Sequence, residues 1–503
     1  MKVAIVGTSN SLLKDGWVKY YRELNKDVQI DNYSLGANTS LYGHYILEKK
    51  RILEEYDYCI VDFAVNDQAN LDLKLISEEL LMASYLDLIR KFKYSRCIPV
   101  FIILPIIPYW QNPESCIVRK IIIYLCQKFG VMYIDVYDFF SGLSDDFAEE
   151  CLFRDYGHIS SFAAKCLALQ LLSSLKEQAK NIFIHKLNME IPCFNFRIKH
   201  WKEIEYSNCK QLLQETSIAH YSVIHMSAES GSQINLYGQD LLCAVFFWDT
   251  NKTNYVYFST DKGIVRKSLT PSCANHFFLR QFITPVRSHD GIIEVRIAAK
   301  DGFIHERTNE CEPQFNSELE LEVIDFLVCD KSYEDKIDIL QNFLTKSCAW
   351  TIRHADYQQY LKQSYIKVFS TLDQSITDDI MRYKKEIKEA KKEVVVVMRN
   401  ILSYINDNSR QFIIFGAGKM GKTLIESLFA DVVTVVVDND CQKWNSIFCG
   451  YTIFNPNEIL KFNKRIILIA SMHFDDVKRQ LIEMGLTEDK DFFDGRPLYK
   501  ILC

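Results

Sequence analysis

Lys2-Val3-Ala4-Ile5-Val6-Gly7-Thr8-Ser9-Asn10-Ser11 decides how the first part of this chain folds. The apolar run Val3–Val6 reads as a buried strand, and Gly7 marks a tight turn after it. Ser9 then stands two residues past the glycine, on a strand-to-helix turn. Three later segments share this setting. Gly36, in Ser34-Leu35-Gly36-Ala37-Asn38, follows the strand-like Val28–Tyr33. Asn66, in Ala64-Val65-Asn66-Asp67, follows Tyr58–Phe63. Asp155 and His158, in Arg154-Asp155-Tyr156-Gly157-His158, precede a helical run from Ser161 to Lys176. All would lie at strand carboxyl ends or in nearby loops, where open α/β sheets place their sites.

A serine hydroxyl is a weak nucleophile until a base takes its proton. An imidazole, titrating near neutrality, suits that task. The ordered set Ser9, Gly36, Asn66 and Asp155-x-x-His158 resembles the SGNH (GDSL-like) hydrolase family, over residues 1–178. The resemblance implies a three-layer α/β domain with Ser9 as nucleophile, His158 as base and Asp155 as the acid that orients it. It also implies three oxyanion donors: the backbone N–H of Ser9, that of Gly36 and the side-chain amide of Asn66. Two positions depart from the family's pattern: Thr8 stands where aspartate is usual, and Ala64 where glycine is usual. Ser11 is a rival nucleophile. The family's spacing from the turn glycine favours Ser9 and leaves Ser11 as a helix cap or first-turn residue.

Composition fits a soluble globular protein of about three domains. The 503 residues are 48% hydrophobic and 25% charged, with a net charge of −6, so no global feature points to nucleic acid. The apolar run Ile98–Trp110 contains three prolines and is too short for a spanning helix, so no transmembrane segment is expected. The 16 cysteines show no Cys-x-x-Cys spacing, and no export signal is recognisable. These features lead to the expectation of reduced thiols, no metal site and a cytoplasmic location.

Strands are expected at Lys2–Val6, Val28–Tyr33, Tyr58–Phe63, Val100–Leu104 and Met132–Asp135, alternating with helices at Ser77–Lys93, Ser115–Phe129 and Ser161–Lys176. Residues 181–330 read as a β-sandwich-like domain. Its aromatics Trp248, Tyr255, Tyr257 and Phe258 alternate along strands and read first as core residues, with an exposed platform for a glycan as the alternative. Residues 333–410 read as a helical linker. Within it Ile376, Ile380, Tyr383, Ile387, Ala390, Val394, Val397, Ile401 and Tyr404 form an a/d seam, so a coiled coil or homodimer through 376–404 is expected.

Residues 411–503 open with Gln411–Phe415 and Gly416-Ala417-Gly418-Lys419-Met420-Gly421, then a second strand ending at Asp438. A G-x-G-x-x-G turn between strand and helix with a later acid marks a Rossmann-like domain. The segment resembles small modules attached to bacterial polysaccharide-biosynthesis and nucleotide-sugar enzymes. Gly416, Gly418, Gly421 and Asp438 would then bind a nucleotide, NAD or a nucleotide-sugar.

The combined expectation is an SGNH serine esterase or O-acyltransferase acting on acyl, foremost acetyl, esters of a carbohydrate. Ester hydrolysis itself requires no cofactor. Two other readings stay open. One is a glycan-binding or assembly protein with a relic SGNH domain; the other is a nucleotide-sugar enzyme run by the C-terminal module, which lacks a recognisable Tyr-x-x-x-Lys.

Overall fold

The computed structural model describes residues 1–141, 152–178, 190–215, 220–248, 255–269, 277–297, 302–306, 320–349, 411–425, 433–462, 465–471, 473–488 and 490–496. The chain divides into two compact units, Met1–Thr371 and Leu372–Cys503. The seam at 376–404 lies outside the described residues.

The first unit begins with a five-stranded parallel sheet: β1 (Lys2–Gly7), β2 (Gln29–Asn32), β3 (Tyr58–Asp62), β4 (Ile98–Ile103) and β5 (Met132–Asp135), in the order β2-β1-β3-β4-β5. β3 is buried along its whole length. A parallel sheet covered on both faces requires such continuous apolar strands. One face carries Ser40–Lys49, Glu78–Lys93 and Ile117–Phe129, whose apolar sides join Ala4, Val6, Val61 and Phe101. The other carries Trp17–Leu24 and Ser161–Gln178, with Trp17, Tyr21, Ala164 and Leu167 against Val3, Ile5 and Ile60. Ser77 caps its helix by accepting the N–H of Leu80, a side-chain cap of the usual kind.

The β-rich part of this unit contains two six-stranded sheets. Leu241–Trp248 lies between Phe277–Val286 and Glu320–Cys329 in one of them. All eight residues of Leu241–Trp248 are buried, for a reason visible in the packing. Val245 and Phe247 face the second sheet, meeting Val256, Phe258 and Val295. Phe246 and Trp248 face the parallel-sheet domain, where Phe246 meets Tyr45 with ring centroids 4.3 Å apart. One hydrophobic core therefore runs continuously from the α/β layers into the β-rich layers. The helix Ile337–Cys348 closes the same core, laying Phe343 against Tyr124 and Phe129.

This packing decides between the two readings of the aromatics in favour of the core. Trp248, Tyr255, Tyr257 and Phe258 are all buried, between 0 and 9% exposed. They serve as core and sheet-packing residues rather than as an open platform.

The second unit has a six-stranded sheet centred on Gln411–Phe415, which pairs in parallel with Val433–Val437 on one side and Arg465–Ile469 on the other. Phe474–Glu483 covers one face through Phe474, Val477 and Leu481.

Candidate active site

The order β2-β1-β3 reverses direction at β1, and ligands of open α/β sheets bind beyond the carboxyl ends of the strands at such a point. The turn after β1 is there. Gly7 is required by close approach: a Cβ on it would lie 2.8 Å from Asp62 Cβ and 2.9 Å from Ser11 Oγ. The chain then passes through Thr8, fully buried, into a short turn of helix at Ser9–Ser11.

Ser9, His158 and Asp155 are brought together. Ser9 Oγ is 2.7 Å from His158 Nε2, and His158 Nδ1 is 2.7 Å from Asp155 Oδ1. The same carboxylate oxygen accepts the backbone N–H groups of Gly157 and His158, at 3.1 and 3.0 Å, which fixes the acid within its own loop. The loop is a narrow hairpin, Phe153–Asp155 paired with His158–Ile159, followed by the helix Ser161–Gln178. The His158 and Asp155 side chains are 28% and 42% exposed, so substrate can reach them.

Asn10, not recognised from the sequence, holds that loop. Its Nδ2 donates to Gly157 O at 2.7 Å and its Oδ1 accepts the Ile159 N–H at 3.2 Å. The clamp thus grips the residues on either side of His158. Only its adjacency to Ser9 could have drawn attention to it. Gly157 also admits Val65, whose Cγ1 would lie 3.1 Å from a Cβ there.

Gly36 and Asn66 flank Ser9. A Cβ on Gly36 would be 3.8 Å from Ser9 Cβ, an ordinary van der Waals contact, so this turn lies beside Ser9 with room for about one methyl group between them. Asn66 is in the first turn of the helix Ala64–Asp72, and its Nδ2 donates to Asn38 O at 3.0 Å. A primary amide carries two donors, so one N–H of Asn66 is fixed and the other is available to an oxyanion. Among the described residues, the N–H groups of Ser9 and Gly36 donate to no protein acceptor.

Ser11 is occupied elsewhere. It is buried and donates to Asp62 Oδ2 at 2.7 Å. Burial pushes the Asp62 carboxyl up to about 7, against the lowering effect of the Ser11 hydrogen bond. Asp67, beside Asn66, is likewise pushed up to about 7 by burial, while accepting from Tyr85 Oη at 2.6 Å and the Ser40 N–H at 2.9 Å.

In the second unit, Gly416, Gly418 and Asp438 line one cleft of about 690 Å³, together with Lys419, Asn439, Lys443 and His473. Gly416 is left-handed (φ 124°), and a Cβ on Gly421 would lie 2.0 Å from Gly416 O, so Gly421 serves close helix–strand packing. Gly418 faces open space. Asp438 accepts the Ala417 N–H at 2.7 Å and is 3.2 Å from Lys443 Nζ. Asp438 therefore does not present a bare negative charge to a ligand.

No group of side chains suited to a metal ion occurs among the described residues. No described helix is long and apolar enough to cross a membrane.

A family model described as C2185-like, N-terminal, matches residues 408–492. No curated protein sequence matches the chain. Similar solved structures include a two-domain esterase (CEX) active on acetylated mannans, at 12% identity and TM-score 0.46, covering 66% of this chain and 91% of that one. Another is LAE5, an α/β hydrolase enzyme from the metagenome of Lake Arreo, at 15% identity and TM-score 0.31, covering 35% and 94%. A variant of Axe2, an acetyl xylan esterase from Geobacillus stearothermophilus, aligns at 16% identity and TM-score 0.31, covering 35% and 94%. At such identities the likeness concerns chain path alone.

Proposed function

We propose that this chain is a serine esterase of SGNH type, acting on acyl, foremost acetyl, esters of a carbohydrate through a Ser9 acyl-enzyme. The observation that carries the reading is the unbroken chain Ser9 Oγ–His158 Nε2 and His158 Nδ1–Asp155 Oδ1, both links at 2.7 Å. In the first step Ser9 Oγ attacks the ester carbonyl carbon and its proton passes to His158 Nε2. The carbonyl oxygen becomes an oxyanion facing the N–H groups of Ser9 and Gly36 and the amide of Asn66. Collapse breaks the ester C–O bond, and His158 returns the proton to the departing alkoxide. A water, deprotonated by His158, then attacks the acyl-serine; collapse breaks the acyl C–Oγ bond, His158 returns the proton to Ser9 Oγ, and the acid is released. A sugar hydroxyl in place of water would give O-acyl transfer by the same steps.

The carbohydrate assignment, and a role in making or trimming a bacterial surface polysaccharide in the cytoplasm, is drawn from the modular build by analogy. Hydrolysis of p-nitrophenyl acetate by the parent and by Ser9→Ala tests the chemistry, and a screen of acetylated sugars with mass detection tests the substrate. Labelling of Ser11 by a fluorophosphonate probe, or full activity in Ser9→Ala, would overturn the assignment of Ser9.

The C-terminal unit, read as Rossmann-like, is proposed to bind a nucleotide, NAD or a nucleotide-sugar. The open face of Gly418 within the cleft supports this reading. A bound ribose diphosphate would place its phosphates at Gly418 and its hydroxyls toward Asp438. Calorimetry with NAD, NADP and nucleotide-sugars tests it, and Gly418→Val should block any binding found. Absence of binding tighter than about 1 mM would leave a scaffold.

A further inference from the structure

The β-rich domain reaches the catalytic turn through three consecutive residues of one strand, Phe277–Val286. The Leu279 N–H donates to Asn38 Oδ1 at 3.0 Å. Arg280 Nη1 donates to Ala37 O at 3.1 Å. Gln281 Nε2 donates to Asn70 Oδ1 at 2.8 Å. Each contact lands on a segment that holds a proposed oxyanion donor. Asn38 donates its own Nδ2 to Gly36 O at 2.6 Å and accepts the Asn66 amide on its carbonyl. Asn70 donates to Asn66 O at 2.7 Å.

The turn needs such support. Ala37 is left-handed, with φ 56°, a conformation that crowds Cβ against the backbone for any residue but glycine. Ala37 is exposed, so no packed side chain of its own pins it. Its carbonyl is gripped by the guanidinium of Arg280, a residue only 8% exposed, and that group lies over the Phe278 ring, 4.6 Å from the centroid. A donor must be preorganised to about a fraction of an ångström to stabilise an oxyanion, so whatever fixes this turn sets the rate.

We infer that strand Phe277–Val286 of the β-rich domain sets the geometry of the oxyanion donors, with Arg280, Gln281 and Asn38 as positioning residues. The inference rests on the reading of Ser9, Gly36 and Asn66 given above. The β-rich domain is then an integral wall of the reaction site, and the α/β domain alone would hold its triad but misplace its donors.

The test uses the full chain, p-nitrophenyl acetate and thermal melting. Arg280→Ala is expected to lower kcat by about 10- to 100-fold with KM within about twofold, the loss typical of a reacting group displaced by about an ångström. Arg280→Lys, which can still donate to Ala37 O, should recover most of it. Gln281→Ala, a milder change that remains informative if Arg280→Ala does not fold, should lower kcat at least about threefold by freeing Asn70 and with it Asn66. Tyr45→Phe and Lys49→Ala remove interdomain bonds to Asp325 away from the turn. They should reduce melting temperature while leaving kcat unchanged, which separates positioning from general loosening of the interface. Parent kcat in both Arg280→Ala and Gln281→Ala, with activity still abolished by Ser9→Ala, would overturn the inference and leave the triad standing. Hydrolysis that survives Ser9→Ala would remove the underlying reading and the inference together.

Discussion

Replacing Asn10 by alanine isolates a residue that does not react but grips the loop on either side of His158, the proposed base. Its side chain spans the hairpin, donating to Gly157 O at 2.7 Å and accepting from the Ile159 N–H at 3.2 Å. Ile159 is 2% exposed, so its N–H would lose its acceptor where water does not reach. An unsatisfied buried group costs about 1–3 kcal/mol, and the half-buried Gly157 carbonyl adds less, so a destabilisation of about 2–3 kcal/mol is expected. The larger consequence is positional. His158 lies between the two anchored points, and its 2.7 Å contact with Ser9 depends on both. Displacement by about 1 Å can cost about 10²-fold, so kcat on p-nitrophenyl acetate should fall about 10- to 100-fold. Fluorophosphonate labelling of Ser9 should slow in parallel, because both reactions need the same deprotonation. A folded Asn10→Ala protein with parental kcat and parental labelling would refute this account of the clamp.

His158→Ala should nearly abolish turnover while leaving the melting temperature close to the parent's, since the imidazole is partly exposed and its bonds serve the site. Asn66→Ala should lower kcat by about 10²–10³, the usual loss for one oxyanion donor, and an unchanged kcat would remove Asn66 from the site. Asp62→Asn should change the pH dependence of stability. Burial pushes the folded carboxyl up to about 7, against about 3.9 for an exposed aspartate, so between these pH values the folded state keeps a proton that the unfolded chain releases. The contribution is complete below about pH 4 and is lost as pH rises through 7, on the order of 4 kcal/mol in all. Denaturant unfolding at pH 5 and pH 8 should therefore show the variant gaining on the parent at the higher pH, and a constant difference would refute it.

What could be read in the sequence follows the range of the forces involved. β3 and Leu241–Trp248 are continuous apolar runs because both of their faces are covered, and such runs announce themselves. Asp155 and His158 were singled out through the family resemblance, and their three-residue spacing places both in one hairpin. Gln233–Tyr237 and Gly263–Ser268 were not recognised, since each is only partly buried and their polar residues read as loop. The helix Ala64–Asp72 was missed too. Its Gln68 turns inward to accept the Val118 N–H at 2.9 Å, a buried polar contact that periodicity alone scores as surface. The aromatics left two readings open. Trp248 alternates as an outward residue of a free sandwich would, but its outer side meets another layer of the same unit. The partners of the turn that carries Ala37 and Asn38 lay furthest from view. Leu279 is 241 residues from Asn38 and Arg280 is 243 from Ala37, so no local spacing could pair them. A family's signature residues are those that touch the reacting atoms, and they repeat because the chemistry repeats. The residues that hold them in place answer to this chain's own domain packing and become visible only once that packing is known.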